Sequence, residues 1–418
     1  MKQPQNACRV WGVTLAGVKG LLRSTLVSLV PFVIACLPSV LSAQIRTQPE
    51  DSAVVFRVES PFNEAGGLQQ AIKMWRASPN DIAIATSSAK IAFLEASRHG
   101  ELRWLGTARA MLDPWWARQD IAGESLFVRA LVRQGMHDFE GALADLNAAI
   151  AYDASQAQYW AWRFAVYMVR SETQRASAEC QAIGERFGRA ERDGCRAVLS
   201  YRTGDAFSAV ETFRALTRHP DYQGENAQEW LAFHLGEALR VAGNVQSAQR
   251  IWRTFLKEAK QSHGIRVALI DSLTKTGDFS AAWALNKDPQ RSDALLVSAL
   301  QVALALNNGQ DAVLRAEIEQ RLKQRELRGE SLNERPFIKY YLYVRQDPTR
   351  ALTMAKESWK TEREPADALL FAKAAVLAGQ PSDASSVVQW QLETGYREPE
   401  LDQVLDQIKH ATSSKGRP

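Results

Sequence analysis

The clearest hydrophobic pattern in the chain lies between residues 126 and 156. Apolar positions recur with the helical period on both sides of a short polar turn, which predicts two amphipathic helices packed against each other. Ala130 and Ala142 fall where the two helices would touch, and residues without bulk let helix axes approach to about 8–10 Å. A single hairpin of this kind cannot bury its apolar side, so the pattern predicts that similar hairpins pack beside it.

Looser copies of this hairpin follow one another along the chain. Five predicted turns are separated by 34, 33, 39 and 34 positions, at His137, Ser171, Gly204, Gly243 and Gly277. A near-constant spacing of this size is typical of solenoids built from one repeated unit. Another pair of helices is predicted before them, with its turn at Gly100, and three less regular pairs are predicted after residue 290.

The turns carry a family resemblance. Residues 277–282, Gly-Asp-Phe-Ser-Ala-Ala, match the turn of the tetratricopeptide repeat almost fully, and residues 138–142 match it except that His137 replaces the glycine. From about residue 82 to residue 398 the chain therefore resembles tetratricopeptide repeat proteins, and it is similar to secreted proteobacterial members without an assigned activity. The resemblance implies an all-α, right-handed superhelical solenoid that binds a protein or peptide, and it implies no reaction.

The pattern divides the chain into five predicted regions. They are a signal peptide or membrane anchor (1–43), an extended arm with one helix (44–80), a regular array (81–290), a degenerate array (291–409) and a disordered tail (410–418). The arm is predicted from the strand-like alternation of residues 53–59, and the single helix from residues 68–77.

The leader has the composition of an export signal. Basic residues precede the uncharged apolar run at 24–43, and no acidic residue occurs before residue 44. Cleavage before Gln44 is the leading interpretation. Two alternatives are lipidation of Cys36, whose preceding residues resemble a lipobox, and an uncleaved anchor, because a run of about 20 apolar residues can span a bilayer. All three interpretations predict that the remaining chain is periplasmic or otherwise outside the cytoplasm.

Charge narrows the class of partner. The 418-residue chain has a formal net charge of +4, but the leader contains four basic residues and no acidic ones, which leaves 47 basic against 47 acidic residues. A neutral chain has no general attraction for nucleic acid or for acidic lipid. We therefore expect a protein or peptide partner in the cell envelope, no nucleic acid, and membrane contact only through the N-terminal segment.

Only two cysteines, Cys180 and Cys195, lie outside the leader. Their spacing places them on adjacent helices of neighbouring hairpins, and an oxidising compartment favours a disulfide between them. The alternative is a pair of buried free thiols, because cysteine is often a small core residue.

An enzyme interpretation has one candidate. Glu124-Ser125, followed by residues 141–143, superficially resembles landmarks of lytic transglycosylases, but Ala144 and Asp145 stand where glycine and leucine are expected. The six histidines show no metal-ligand spacing, so we predict no catalysis, no metal and no cofactor. A peptidoglycan-active enzyme or accessory subunit remains an alternative, as does a purely structural subunit of an envelope complex.

Two sets of residues are candidates for partner binding. Arg129, Arg163 and Arg196 recur at 34 and 33 residues, so a solenoid would stack them into one row. They could form a basic ladder for an acidic peptide, or each could pair with the acid of its own hairpin, at Asp145, Glu179 and Glu211. We favour pairing, because an unpaired buried charge is costly. Trp115, Trp116 and Trp162 are predicted to be exposed aromatic anchors.

Overall fold

The computed structural model of the chain describes residues 66–258, 262–286, 288–328, 331 and 334–414. Within these residues the chain forms twenty α-helices and no β-strand. The helices are α1 Gly66–Ala77, α2 Ile82–His99, α3 Arg103–Met111, α4 Gly123–Gly135, α5 Phe139–Tyr152, α6 Ala157–Val169, α7 Thr173–Phe187, α8 Arg189–Arg202, α9 Ala206–Leu216, α10 Glu225–Val241, α11 Val245–Glu258, α12 His263–Lys275, α13 Phe279–Leu285, α14 Asp293–Leu306, α15 Asp311–Leu327, α16 Arg335–Lys339, α17 Pro348–Ser358, α18 Pro365–Leu377, α19 Ser385–Thr394 and α20 Pro399–Ser414. A π-helical turn, Tyr340–Val344, continues α16.

Helices α2 to α19 pair in chain order into nine hairpins within the described residues, each with a helix A followed by a helix B. Hairpin 1 is α2 with α3, and hairpin 9 is α18 with α19. The outer helix α1 packs on α2, and α20 packs on α18, so both ends of the array are covered. The predicted fold class is confirmed: the chain is an all-α solenoid of helical hairpins.

The local sequence explains where each helix A ends and helix B begins. The predicted turn residues have left-handed backbone conformations, with φ of 63° at His137 and 57° at Ser171. Directly after the first of these, Asp138 caps α5 by accepting a hydrogen bond from the Gly141 N–H at 3.0 Å. The same cap recurs at Asp205, Asp278 and Asp347. Ala130 and Ala142 are buried between α4 and α5, as predicted.

The array turns back on itself. A Cβ atom built at Gly100, in the turn of hairpin 1, would lie 2.6 Å from the His263 ring and 2.8 Å from Ser292 Cβ. Those two residues stand at the starts of α12 and α14. Further along, the Arg363 N–H donates a hydrogen bond to the Val169 carbonyl at 2.9 Å. The turn edge of the first hairpins therefore contacts later parts of the same chain.

We refer to the second of these contacts as the seam. Its first side is formed by the A–B turns and helix A ends of hairpins 2 to 6, represented by His137, Val169, Ser171, Arg202, Gly204, Arg240 and Lys275. Its second side is formed by Glu362, Arg363, Glu364, Trp390, Gly395, Glu398 and Glu400.

Some predicted regions fall outside the described residues or differ from the structure. The leader, with Cys36, and the arm up to residue 65 lie outside them, so these remain predictions. The single predicted helix is α1.

Helix α20 continues to Ser414, so the prediction of a disordered tail from His410 is wrong for residues 410–414: buried Leu405 and Ile408 hold the helix against the array. Among the described helices, none combines the length and apolarity that a membrane span requires.

Candidate functional site

Arg129, the first member of the predicted ladder, is completely buried. Its Nε and Nη2 atoms donate to the Asp145 carboxylate at 2.7 Å and 2.5 Å, and its Nη1 donates to the carbonyls of Trp115 and Arg118 at 2.5 Å and 2.6 Å. These contacts join the segment that leaves hairpin 1 to helix B of hairpin 2. The structure therefore contradicts a peptide-binding role for Arg129, and pairing with Asp145 is confirmed.

The other two members of the ladder differ from each other. Arg163 pairs with Glu179 at 2.9 Å and donates to Asn147 Oδ1 at 2.7 Å, so it repeats the bridge that Arg129 makes. Burial raises the pKa of Glu179, although Arg163 opposes the shift. Arg196 is exposed, and Glu211 pairs instead with Arg214 at 2.8 Å. The prediction that Arg196 pairs with Glu211 is wrong, and only Arg196 is open to a ligand.

Two of the three predicted aromatic anchors are core residues. Trp115 is 7% exposed and Trp162 is 6% exposed, so the expectation that they are accessible is wrong. The ring of Trp162 packs edge-on against Phe93 of hairpin 1 at 5.7 Å. Trp116 is half-buried, with the guanidinium groups of Arg109 and Arg133 at 3.9 Å and 4.6 Å from its ring centre. These cation–π contacts hold the ring in place.

The structure brings Cys180 and Cys195 together as predicted. Their sulfur atoms are bonded, their Cα atoms are 5.5 Å apart, and both side chains are fully buried. The disulfide links α7 to α8 and therefore joins hairpin 3 to hairpin 4. This covalent link supplements the packing between two neighbouring repeats.

Glu124 and Ser125 occupy the first turn of α4. The Glu124 carboxylate pairs with Lys90 of α2 at 2.6 Å and accepts a hydrogen bond from Tyr159 of α6 at 3.3 Å, so three consecutive helices A meet there. Ser125 is buried and shares a hydrogen bond with Thr86 at 2.8 Å. Glu124 is 44% exposed, and its contacts are those of a link between hairpins.

Within the residues that the structure describes, no group of three or more His, Cys, Asp or Glu side chains is arranged to hold a metal ion. His234 is buried against aromatic rings and is hydrogen-bonded to Tyr201 at 3.0 Å. Burial, reinforced by the Arg202 charge, lowers the pKa of His234 to about 3. This histidine therefore stays neutral at physiological pH.

The backbone and short side chains form the centre of the seam. The Arg363 N–H donates to Val169 at 2.9 Å, and the Ser171 hydroxyl donates back to the Arg363 carbonyl at 2.8 Å. The Trp390 indole N–H donates to the same hydroxyl oxygen at 2.7 Å. Together these bonds tie the turn of hairpin 3 to the segment that precedes α18 and to α19 of hairpin 9.

Ion pairs line the seam on both sides of that centre. Arg202 pairs with Glu364 at 3.0 Å, Arg240 with Glu398 at 2.5 Å and Lys275 with Glu400 at 2.7 Å. His137 contacts Glu362 in the same line. In all four pairs the base lies on the early hairpins and the acid lies near the C-terminus.

The electrostatics of the seam favour ionised carboxylates. Burial alone would raise the pKa of Glu398, but the charges of Arg240 and Lys275 outweigh it and hold that pKa below its ordinary value. Burial is likewise outweighed at Glu400, where Lys275 and Lys373 lower the pKa. Both acids therefore contribute stability when they are deprotonated.

The lowered pKa of Glu398 predicts that the stability contributed by this side chain depends on pH. Replacing Glu398 with Gln should lower the free energy of unfolding at pH 7 by about 1–3 kcal/mol, because Arg240 loses a charged acceptor. Since the folded pKa of Glu398 lies below 4.5, the stabilisation is fully present above that pH and is lost as the pH falls through the folded value. Urea unfolding of both proteins from pH 7 to pH 3 should show the difference shrinking, and a difference independent of pH would contradict this assignment.

With this geometry in view, comparison with solved structures identifies the fold. The chain is similar to the crystal structure of the APC/C hetero-tetramer Cut9-Hcn1, with a TM-score of 0.51 at 11% sequence identity over 83% of this chain and 72% of that chain. The matched structure is a tetratricopeptide repeat protein. The chain has the fold of a tetratricopeptide repeat solenoid.

Two other tetratricopeptide repeat structures match less closely. One is a protein from Parabacteroides merdae, with a TM-score of 0.32 at 12% identity over 69% of this chain and 98% of that chain. The other is the P58(IPK) TPR domain, with a TM-score of 0.22 at 12% identity over 84% of this chain and 100% of that chain. No family model matches the sequence, and no curated protein sequence matches it.

The seam of this tetratricopeptide repeat solenoid was missed by the sequence analysis, although a signal for it exists. A basic residue recurs in the last turn of helix A, at Arg202, Arg240 and Lys275, shortly before each turn residue. Acids cluster at 362–364 and 398–402, just before α18 and at the start of α20. Matching these two sets would have suggested that the two parts of the chain meet.

Proposed function

We propose that the chain is an exported scaffold that binds a protein or peptide partner in the cell envelope and performs no catalysis. The observation that carries the proposal is the solenoid itself, in which nine hairpins stack within the described residues and leave the helices A in one continuous row. Repeat solenoids of this type use such extended surfaces for binding.

Export is supported by two independent features. The first 43 residues have a basic start followed by an uncharged apolar run, which is the composition of an export signal. The Cys180–Cys195 disulfide is the second, because disulfides persist mainly in oxidising compartments. Together they favour a periplasmic or envelope-associated protein.

Lys90 and Glu124 are the polar groups on which we centre the binding surface. They lie on adjacent helices A and remain 35% and 44% exposed although they pair with each other. A partner that approaches the helix A row can exchange their mutual ion pair for its own contacts, which costs little because exposed pairs are weak. The surface carries both signs of charge and suits a polypeptide with both acidic and basic groups.

The test is affinity capture from the native envelope with the full chain carrying a C-terminal tag. The double variant Lys90→Ala/Glu124→Ala should recover about tenfold less partner than wild type, and the purified partner should show the same ratio in a binding titration. Arg189→Ala is the matched control, because that side chain is 85% exposed on helix A of hairpin 4.

The same sample tests export. Mass spectrometry of the captured chain should find Gln44 as the first residue, whereas a lipid on Cys36 or an intact Met1 would identify one of the two alternative leaders. A chain recovered only from the cytoplasm would contradict export. Equal recovery of the partner by the double variant would contradict the assigned surface.

A further inference from the structure

The charged residues of the seam lie at helix ends that favour charges of their sign. On its first side we define the basic row as Arg202, Arg240 and Lys275, each in the last turn of a helix A. On its second side we define the acidic segment as Glu364, Glu398 and Glu400, which precede or begin α18 and α20. Cations complement helix C-termini and anions complement helix N-termini. Each set is therefore stabilised where it stands, before the two sets meet.

Hydrogen bonds and ion pairs cross the seam. The ring of Trp390 packs against Trp359 and Tyr396, both on its own side, at 5.7 Å each, and its N–H donates a hydrogen bond across the seam to Ser171. Tyr396 likewise donates to Glu398 on its own side at 2.7 Å. The ring contacts of Trp390 therefore lie within the second side, and its N–H supplies a hydrogen bond across the seam.

The three ion pairs of the seam differ in their exposure to solvent, and the Lys275–Glu400 pair is the most exposed. The Lys275 and Glu400 side chains are 48% and 32% exposed. Arg240 and Glu398 are 20% and 9% exposed, and Arg202 and Glu364 are 20% and 15% exposed. Salt screens the exposed Lys275–Glu400 pair most strongly, and desolvation offsets part of the attraction in the two less exposed pairs. A competing acid from another polypeptide could therefore take the place of the acid supplied by the chain itself.

We propose that the basic row is a binding site for acidic polypeptide segments, and that the chain's own acidic segment occupies it as an intramolecular competitor in the closed form. This rests on the proposed scaffold function and deepens it by naming the chemistry of one class of partner. The chain itself displays the fit: carboxylates near the starts of α18 and α20 reach all three cations. An incoming acidic segment displaces them, and the seam opens.

A steric feature allows the seam to be opened without changing any charge. Gly204 has φ of +97°, and a Cβ atom there would lie 2.4 Å from the Gly395 carbonyl oxygen across the seam. Gly243 occupies the same turn position in hairpin 5 with φ of +82°, and a Cβ atom there would meet nothing within 4 Å. Gly204→Ala and Gly243→Ala therefore share the backbone penalty, and only the first obstructs the seam.

The experiment is a titration of a labelled peptide against the full chain, followed by fluorescence anisotropy at low salt. The peptide has the sequence of residues 390–402, which carries Glu398 and Glu400. The variant Glu398→Lys/Glu400→Lys removes the seam partners of Arg240 and Lys275 in the basic row, and it should bind the peptide at least about tenfold more tightly than wild type. The variant Arg240→Glu/Lys275→Glu also breaks the pairs but lacks the cations, so it should bind no better than wild type.

The glycine pair provides the second arm. Gly204→Ala should bind the peptide more tightly than Gly243→Ala, again by about tenfold or more, and the gain should disappear at high salt. Amide hydrogen exchange at Arg363, whose N–H crosses the seam, verifies opening in each variant.

The proposal is overturned if neither Glu398→Lys/Glu400→Lys nor Gly204→Ala binds the peptide more tightly than its control. It is also overturned if Arg240→Glu/Lys275→Glu binds the peptide as tightly as Glu398→Lys/Glu400→Lys does. Neither result affects partner capture through Lys90 and Glu124, so failure here is distinguishable from failure of the scaffold function.

Discussion

Replacing Arg129 with alanine is expected to lower the free energy of unfolding by about 3–5 kcal/mol, because it leaves the Asp145 carboxylate buried without its main partner. Asp145 is 1% exposed, and the two carbonyls that Arg129 also satisfies would lose a charged donor. Arg133 contacts the same carboxylate at 3.0 Å, which keeps the loss from being larger. Urea unfolding followed by circular dichroism measures the change.

The same ladder supplies the controls for this prediction. Arg196→Ala should change the free energy of unfolding by no more than about 0.5 kcal/mol, because an exposed side chain outside a network contributes little. Arg163 is 15% exposed, so its alanine variant should fall between the two. Amide hydrogen exchange should show that Arg129→Ala lowers the protection of amides mainly in hairpins 1 and 2. Equal losses at Arg129 and Arg196 would show that burial does not decide the outcome.

A second consequence of Arg129 concerns its replacement by apolar groups. Substituting Arg129→Met together with Asp145→Leu should recover much of the stability lost by Arg129→Ala, because well-packed apolar residues can replace a buried ion pair at little cost. Recovery would show that the pair contributes mainly by avoiding an unpaired charge. No recovery would point to the bonds that Arg129 donates to the loop between hairpins 1 and 2.

Loss of the disulfide should cost about 3 kcal/mol, since it closes a loop of 15 residues in the unfolded chain. The variant Cys180→Ala/Cys195→Ala removes it while keeping small apolar side chains at two fully buried positions. Urea unfolding with and without dithiothreitol is the measurement. Reductant should lower the stability of wild type by a similar amount and leave the variant unchanged.

Thiol labelling provides the independent check on the disulfide. The mature, non-reduced protein should show no reactive thiol even after unfolding in urea, because both cysteines outside the leader are consumed by the bond. Two labelled thiols under those conditions would restore the alternative of buried free cysteines.

The hairpins themselves were predictable because their signals are local. A turn residue with positive φ, a capping aspartate directly after it and small residues at the helix contact all act within one hairpin, so they can be read from about 30 residues at a time. His137 shows how robust this is: it adopts φ of 63° where the repeat pattern expects glycine, and Asp138 still caps the next helix.

The orientation of individual side chains was not predictable in the same way. Recurrence at the repeat interval shows that Arg129, Arg163 and Arg196 occupy equivalent places, but accessibility depends on what the neighbouring hairpin presents to each of them. Arg129 meets two loop carbonyls and Arg163 meets an asparagine, whereas Arg196 is exposed. The burial of Trp162 was mispredicted for the same reason, since Phe93 of hairpin 1 packs against its ring.

The seam depends on a property that no single hairpin encodes. Whether late hairpins reach early turns is set by the accumulated rotation from one hairpin to the next, and small differences in that rotation add up along the array. Charges at Arg240 and Glu398 were visible in the sequence, but their meeting is a result of the whole superhelix.

The hydrogen bond between Ser171 and Arg363 connects residues 192 positions apart, and this changes how the molecule should unfold. In an open solenoid each repeat touches only its neighbours, so the ends can fray one repeat at a time. Here the last hairpin is tied to the third, and fraying of the C-terminal end must break contacts in the middle of the chain. We therefore expect the array to melt as one cooperative unit and to fold slowly for a helical protein, because long-range contacts must form before the end is stable.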